Sequence, residues 1–173
     1  MILHIDGGRW YIDVRTADTS DQISFDLTQH VPRRLAAGKT LIIADNTKVF
    51  LSVIRKRWMK LLYEVECQRS STLDKLKREA LQYEVDQMRN CRFASKTPTQ
   101  IPDANVYCLA PAELPSSFPP YMTLYITVPL LAPQVTQATE SLSAGGLVVL
   151  YGPWLAAYEQ LLKQAYTAGP NER

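Results

Sequence analysis

The first 38 residues contain short, β-prone apolar runs separated by turn-forming residues. Residues 2–5 and 10–15 flank an Asp-Gly-Gly turn at 6–8, where glycine adopts positive φ without steric cost. Apolar and polar residues alternate at 22–28, which is the period of a half-buried strand. The pattern predicts three antiparallel strands in a meander, followed by a short helix at 32–38.

A continuous apolar run at 40–44 precedes a long helical pattern. Such a run is typical of a strand that is buried on both faces. Residues 45–47, Asp-Asn-Thr, supply N-cap side chains, and helical periodicity then extends over 46–93. The Ser-Ser-Thr sequence at 70–72 favours caps over helix interiors. The segment is therefore either a helical hairpin or one long kinked helix, and the hairpin is the more compact of the two.

The remainder of the chain alternates short apolar runs with helical patterns. It predicts strands at 106–109, 122–128 and 147–151 and helices at 133–142 and 153–166. Strands that alternate with helices pair in parallel through right-handed crossovers. We therefore expect residues 1–173 to form a single α/β domain with strands 40–44, 122–128 and 147–151 in one sheet. The predicted architecture is a Rossmann-like three-layer sandwich whose sheet is mixed, with the antiparallel meander at its N-terminal edge.

Helical periodicity also predicts which side chains of 46–93 face the core. In the first helix the core face comprises Phe50, Val53, Ile54, Trp58, Leu61, Leu62 and Val65. Arg55 and Lys56 lie outside that face, whereas Arg57 lies within it and must either extend to solvent or pair with a carboxylate such as Glu64.

The second helix has a broader predicted inner face. It comprises Leu73, Leu76, Ala80, Leu81, Tyr83, Val85, Met88 and Cys91. Glu84 falls near the middle of this face, where a carboxylate is costly unless it pairs with a cation such as Lys77 or Arg57.

Charge is distributed unevenly along the chain. The net charge is +2, yet residues 46–93 carry eleven Lys or Arg against six Asp or Glu, which makes that segment +5. The cations expected at its surface are Arg55, Lys56, Lys75, Arg78, Arg89 and Arg92. A solvated helix face is the ordinary explanation for such a set. A functional explanation is a contact surface for an acidic protein or a nucleic acid.

Composition narrows the classes of function. No run of about eighteen apolar residues suits a membrane span, and the start of the chain does not have the pattern of a signal peptide. The three cysteines are widely spaced, which favours reduced thiols and a cytoplasmic location. No nucleophile elbow or phosphate-binding glycine motif occurs. We expect a non-catalytic cytoplasmic interaction or adaptor protein, without a cofactor, that contacts its partner through 46–93.

Two carboxylates at strand ends suggest an alternative. Asp6 follows the first predicted strand and Asp45 ends the fourth. Three strands, a helix, a buried strand and a helix resemble the opening of the ribonuclease H-like fold. That resemblance implies a metal-dependent nuclease in which Asp6 and Asp45 hold Mg²⁺ ions that activate water.

A third carboxylate would complete such a site. The downstream choices are Asp103, Glu113 and Glu140. The simpler interpretation assigns Asp6 to a hairpin turn and Asp45 to a helix cap. A third hypothesis is a small-ligand site at the strand ends near Asn46 and Gly152, because α/β sheets often bind ligands there.

Overall fold

Seven strands form one sheet in the part of the chain that the structure describes. The structure is a computed structural model, and it describes residues 2–5, 10–15, 22–23, 25–27, 29 and 38–151. The strands are β1 (Ile2–Ile5), β2 (Trp10–Arg15), β3 (Thr40–Ile43), β4 (Phe93–Ala94), β5 (Val106–Leu109), β6 (Tyr121–Ile126) and β7 (Leu142–Tyr151). Their order across the sheet is β1-β2-β7-β6-β3-β5-β4. The six strands from β2 to β4 in this order are parallel to one another.

The helices are α1 (Thr47–Ser71), α2 (Lys75–Arg89) and α3 (Ala132–Thr139). A short 3₁₀ helix spans Pro111–Glu113, and the described residues among 22–29 are also helical. Asn46 caps α1 by accepting a hydrogen bond from the Val49 amide at 3.3 Å, and Asp74 caps α2 in the same way. The segment 46–93 is therefore a hairpin of two helices and not one kinked rod.

The predicted antiparallel meander is wrong. Antiparallel pairing among the described residues is confined to β1 against β2, and the described residues of the expected third strand, 22–23 and 25–27, are helical. Ile23 and Leu27 are buried, whereas Phe25, which lies between them, is 52% exposed. Ile23 and Leu27 are four positions apart, and residues at that spacing lie on the same face of either a helix or a strand. Over so short a run, the sequence therefore does not distinguish helical from strand periodicity.

The parallel strands expected at 40–44, 122–128 and 147–151 are confirmed. β6 lies between β3 and β7 and pairs in parallel with both. The predicted strand 106–109 is β5, and the predicted helix 133–142 corresponds to α3, which ends earlier because β7 already begins at Leu142. The predicted helix 153–166 and most of 32–38 lie outside the described residues.

Alternate residues of each strand contribute to two cores, one on each face of the sheet. One core combines Leu41, Ile43 and Leu124 with Ala138 of α3. The other combines Ile42, Cys108 and Tyr125 with the buried side of α1 and with Val85 and Met88 of α2. Helices therefore flank a parallel sheet on both faces, and this explains why the strands are continuous apolar runs.

Candidate interaction surface on the helical hairpin

The first half of α1 is anchored on the sheet. Its buried residues are Leu51, Ile54, Trp58 and Leu62. Trp58 is 3% exposed, and its indole Nε1 donates a hydrogen bond to the Met88 carbonyl at 3.0 Å. Its ring also meets Phe93 edge to face at 5.3 Å. The predicted burial of Trp58 and the predicted exposure of Arg55 and Lys56 are thus confirmed.

The second half of α1 extends past the sheet. The helix starts at the carboxyl end of β3, and Trp58 contacts Phe93, the first residue of β4. Phe93 is in register with Val106, which is in register with Thr40. These residues begin β4, β5 and β3, so Phe93 lies at the amino-terminal edge of the parallel strands. The helix has therefore crossed the sheet by Trp58. No residue between 63 and 84 is buried, and we call this part of the molecule the distal hairpin.

Side-chain contacts tie the two helices of the hairpin together. Arg69 donates to the Gln82 side-chain oxygen, and the Gln82 amide nitrogen donates to Asp86 at 2.9 Å. Nearer the sheet, Arg89 pairs with Glu66 at 2.7 Å. The distal hairpin is consequently held in one antiparallel arrangement, although none of its residues is fully buried and only Val65, at its base, packs against the core.

Three of the six cations predicted at the surface have partners within the protein. Arg55 donates to the Phe93 carbonyl at 3.0 Å. Arg89 pairs with Glu66, and Arg92 pairs with Asp103. These cations hold segments of the fold together, so they are poor candidates for binding a partner.

The other three cations are available. Lys56, Lys75 and Arg78 are exposed, and their side chains form no hydrogen bond or ion pair with another described residue. Lys56 lies on the anchored half of α1, whereas Lys75 and Arg78 lie together in the first turn of α2. The structure therefore brings together only one pair of the predicted binding residues.

A groove at the end of the hairpin contains that pair. It has a volume of about 440 Å³, and we call it the tip groove. Its lining residues are Arg69, Ser70, Leu73, Lys75, Arg78, Glu79 and Gln82. Sequence reasoning missed Arg69, whose position in the last turn of α1, next to the Ser-Ser-Thr break, was the available signal.

Two leucines at the tip are exposed. Leu73 is 95% exposed and Leu76 is 77% exposed. The prediction that these leucines and Tyr83 face inward is wrong, and Glu84, predicted near the middle of the inner face, is exposed as well. The cause is geometric. At the tip, beyond the sheet, each helix packs only against the other helix, so the buried face of α2 is narrower than helical periodicity alone predicts.

Positive charge forms two patches that carboxylates separate. The shaft patch consists of Lys48, Arg55, Lys56, Arg57 and Lys60 on the anchored half of α1. The tip patch consists of Arg69, Lys75, Lys77 and Arg78. Carboxylates lie between the patches on both helices: Glu64, Glu66, Glu84 and Asp86. The predicted basic surface is consequently not continuous.

Arg57 contacts an aromatic ring instead of Glu64. Its guanidinium lies 5.1 Å from the centre of the Phe25 ring, a distance typical of a cation–π contact. The contact joins α1 to the helical residues near 25. Arg57 therefore belongs to the fold and not to a binding surface.

A second charged cluster lies on the face of the sheet that α1 and α2 cover. Arg15 at the end of β2 contacts Asp13 at 2.9 Å and lies 3.8 Å from Asp26. Burial raises the pKa of the Tyr151 hydroxyl, and the charge of Asp26 raises it further. Sequence reasoning did not identify this cluster. It joins the helical residues near 26 to strands β2 and β7.

The structure describes one of the two carboxylates proposed for a metal site. Asp45 is exposed two residues beyond β3, and Asp6 lies outside the described residues. β1 ends at Ile5 opposite Trp10, the first residue of β2, so β1 and β3 end at opposite edges of the sheet with three strands between them. In the described ranges no group of three or more His, Cys, Asp or Glu residues could hold a metal ion.

The other residues considered for these sites have separate roles. Asp103 pairs with Arg92, and Glu113 accepts a hydrogen bond from the Ala110 amide at 2.9 Å. Asn46 is occupied as the cap of α1, and Glu140 is the residue that ends α3. Gly152, suggested for a small-ligand site, lies outside the described residues.

The three thiols differ in accessibility. Cys67 on α1 is exposed, Cys91 is half-buried and Cys108 on β5 is buried. Burial raises the pKa of Cys91 to about 12. Burial, with a contribution from the Glu113 charge, also raises the pKa of Cys108 to about 12. The thiolate is the nucleophilic form, so these two residues are unreactive at neutral pH.

Sequence comparison identifies no relative from which to transfer a function. No protein-family model matches the chain. No curated protein matches it either. Within the described residues, no helix has both the length and the apolar composition that crossing a bilayer requires.

Proposed function

We propose that this protein is a non-catalytic interaction or adaptor protein that binds an acidic partner through the tip of its helical hairpin. In this proposal a Rossmann-like three-layer sandwich forms the platform, and the hairpin presents the contact surface. The observation that carries the proposal is that residues 63–84 contain nothing buried, yet side-chain contacts hold them in a defined hairpin. A structural role in the core does not explain such an element.

Charge at the tip supports an acidic partner. Residues 69–78 contain four cations, Arg69, Lys75, Lys77 and Arg78, against Asp74 alone, which gives a net charge of +3. The side chains of Lys75 and Arg78 make no hydrogen bond or ion pair with other described residues. They are therefore free to pair with carboxylates or phosphates, and such charges mainly accelerate association.

The test compares two triple substitutions that change the charge equally. One replaces Lys75, Lys77 and Arg78 by Gln at the tip, and the other replaces Lys48, Lys56 and Lys60 by Gln on the shaft. All six residues are exposed, so both variants should fold normally. The probes are a fluorescein-labelled glutamate-rich peptide and a labelled single-stranded DNA, each titrated at two salt concentrations and followed by anisotropy.

The tip variant should bind its preferred probe about tenfold more weakly, since each exposed charge pair contributes about 0.5 kcal/mol. It should also show a flatter salt dependence, while the shaft variant changes affinity by less than about twofold. Equal losses in the two variants would mean that the attraction depends on overall charge and not on the tip. Unchanged binding in the tip variant would refute the proposal.

The alternative activity, a Mg²⁺-dependent nuclease that uses Asp6 and Asp45, is tested with the same preparation. We expect labelled single-stranded DNA and RNA to stay intact during incubation with Mg²⁺. If the nucleic acid is cleaved, if EDTA stops the cleavage and if the Asp45→Asn variant does not cleave, the protein is a nuclease and the interaction proposal is wrong.

A further inference from the structure

We infer that the tip groove binds an acidic protein segment that carries apolar side chains, and not a nucleic acid. This inference rests on the proposed function and specifies its partner. The segment would seat an apolar side chain against Leu73 in the groove, extend over the exposed Leu76 just outside the groove lining, and place carboxylates opposite Lys75 and Arg78. Three features of the tip support this choice.

The first feature is the pair of exposed leucines. Leu73 and Leu76 are among the most exposed large apolar residues of the described chain; Leu73 directly precedes Asp74, the cap of α2, and Leu76 lies in the first turn of that helix. An apolar side chain gains free energy only when an apolar surface removes it from water. A partner with apolar side chains provides that surface, whereas a phosphate backbone does not.

The second feature is the placement of cations beside those leucines. Lys75 and Arg78 line the groove together with Leu73. Arg69 is fixed by its bond to Gln82, which is itself bonded to Asp86, so one cation is already oriented toward the groove wall. A groove that combines an exposed leucine with cations matches an amphipathic helix whose apolar face is flanked by carboxylates.

The third feature is the distribution of carboxylates. Lys60 of the shaft patch and Arg69 of the tip patch are nine positions apart, about 13 Å along a helix, and Glu64 and Glu66 lie between them. Glu79 lies in the groove itself. Glu66 is paired with Arg89, but a nucleic acid with closely spaced phosphates would meet repulsion from Glu64 and Glu79. A protein segment can satisfy Glu79 with a backbone N–H or a cation.

The experiment separates the apolar contribution from the charge. The probe is a labelled peptide of about sixteen residues in which two leucines at helical spacing are flanked by glutamates. A second peptide has the same charge but serine in place of both leucines, and a labelled single-stranded DNA is the third probe. Full-length protein is compared with Leu73→Ser/Leu76→Ser and with the control Leu131→Ser, which changes a 69% exposed leucine on α3's N-terminal cap.

The leucine peptide should bind the unmodified protein about tenfold more tightly than the serine peptide. The double variant should bind the two peptides equally, and Leu131→Ser should retain the tenfold difference. Equal binding of the two peptides to the unmodified protein, or no measurable binding of the leucine peptide, would overturn the inference.

Failure of the inference can be distinguished from failure of the proposed function. If DNA binds more tightly than either peptide and the tip triple variant loses it, the tip is a contact surface but its partner is a nucleic acid. If the tip triple variant loses neither probe, the proposed function itself fails. In every case, circular dichroism of the variants checks that the helices are intact.

Discussion

At the scale of single residues, Trp58 is where three elements of the fold meet. It lies on α1, its indole hydrogen-bonds the last turn of α2, and its ring packs on Phe93 of β4. A side chain of this size that is 3% exposed cannot be removed without leaving a cavity.

The Trp58→Ala substitution should therefore lower the free energy of unfolding by about 3–5 kcal/mol. Trp58→Phe keeps most of the packing but removes the indole donor of the Met88 carbonyl, which retains the Cys91 amide at 3.3 Å, and this should cost about 1 kcal/mol. Met59→Ala is the control, because Met59 is the adjacent residue and is 62% exposed. Urea titrations followed by far-ultraviolet circular dichroism measure all three. A loss below about 1 kcal/mol in Trp58→Ala would contradict the assigned contacts.

The cysteines provide a second residue-scale prediction. Cys67 is exposed, whereas burial raises the pKa of both Cys91 and Cys108 to about 12. At pH 8 a chromogenic disulfide reagent should react rapidly with one thiol of the native protein and with three after denaturation. Cys67→Ser should remove the rapid phase. Two rapidly reacting thiols in the native protein would show that Cys91 or Cys108 is accessible.

At the scale of elements, the sequence predicted α1 better than α2. The predicted inner face of α1 is correct around Ile54, Trp58 and Leu62, because this half of the helix packs on a broad sheet. The predicted inner face of α2 is wrong at Leu73 and Leu76, because no sheet lies beneath them. A helical wheel reports which residues could be buried, but only the tertiary structure shows where the core ends.

The sequence predicted the candidate surface only in part, as it did the inner face of α2. Lys75 and Arg78 are exposed as expected. Arg55 and Arg92 are instead bonded to Phe93 and Asp103, which are distant in the sequence and approach only through the fold. That these two cations have partners within the fold was therefore not visible in the local charge pattern.

The limited contribution of the distal hairpin to stability leads to a prediction for the whole element. Replacing residues 65–82 by a turn of about four residues removes no fully buried side chain, and Val65 is the one partly buried core contact that it removes. The free energy of unfolding should change by less than about 2 kcal/mol, since exposed pairs and partly exposed contacts contribute little. Binding of the leucine peptide should be lost. A shortened protein that cannot fold would show that the hairpin has a structural role.

At the scale of the whole molecule, strand order was beyond the reach of the sequence pattern. Apolar runs at 40–44 and 147–151 indicate buried parallel strands, and both are present. Nothing local indicates that β6 lies between β3 and β7, or that β2 pairs with β7 at the far end of the chain. Strand neighbours depend on packing between distant segments, and this is also why the carboxyl ends of β1 and β3 are far apart.

The sheet also buries ionisable groups that couple its stability to pH. Cys108 has its pKa raised to about 12, and burial raises the pKa of Tyr121 and Tyr151 as well. An unfolded cysteine loses its proton near pH 9, whereas the folded protein retains it. The unfolded state then binds fewer protons than the native state, so stability is complete below about pH 9 and decreases as the pH rises toward 12.

The free energy of unfolding should accordingly fall by up to about 1.4 kcal/mol per pH unit for each such group above pH 9, with the tyrosines adding to the slope above pH 10. Urea titrations at several values between pH 7 and pH 11 measure this slope. Cys108→Ala should be less stable at pH 7 but should show a shallower decline between pH 9 and pH 10, because one of the two cysteines with a raised pKa, Cys108 and Cys91, is gone. Cys67→Ala, which removes an exposed thiol, should leave the slope unchanged. Equal slopes in the unmodified protein and in Cys108→Ala would show that this thiol is not protected from ionisation by the sheet.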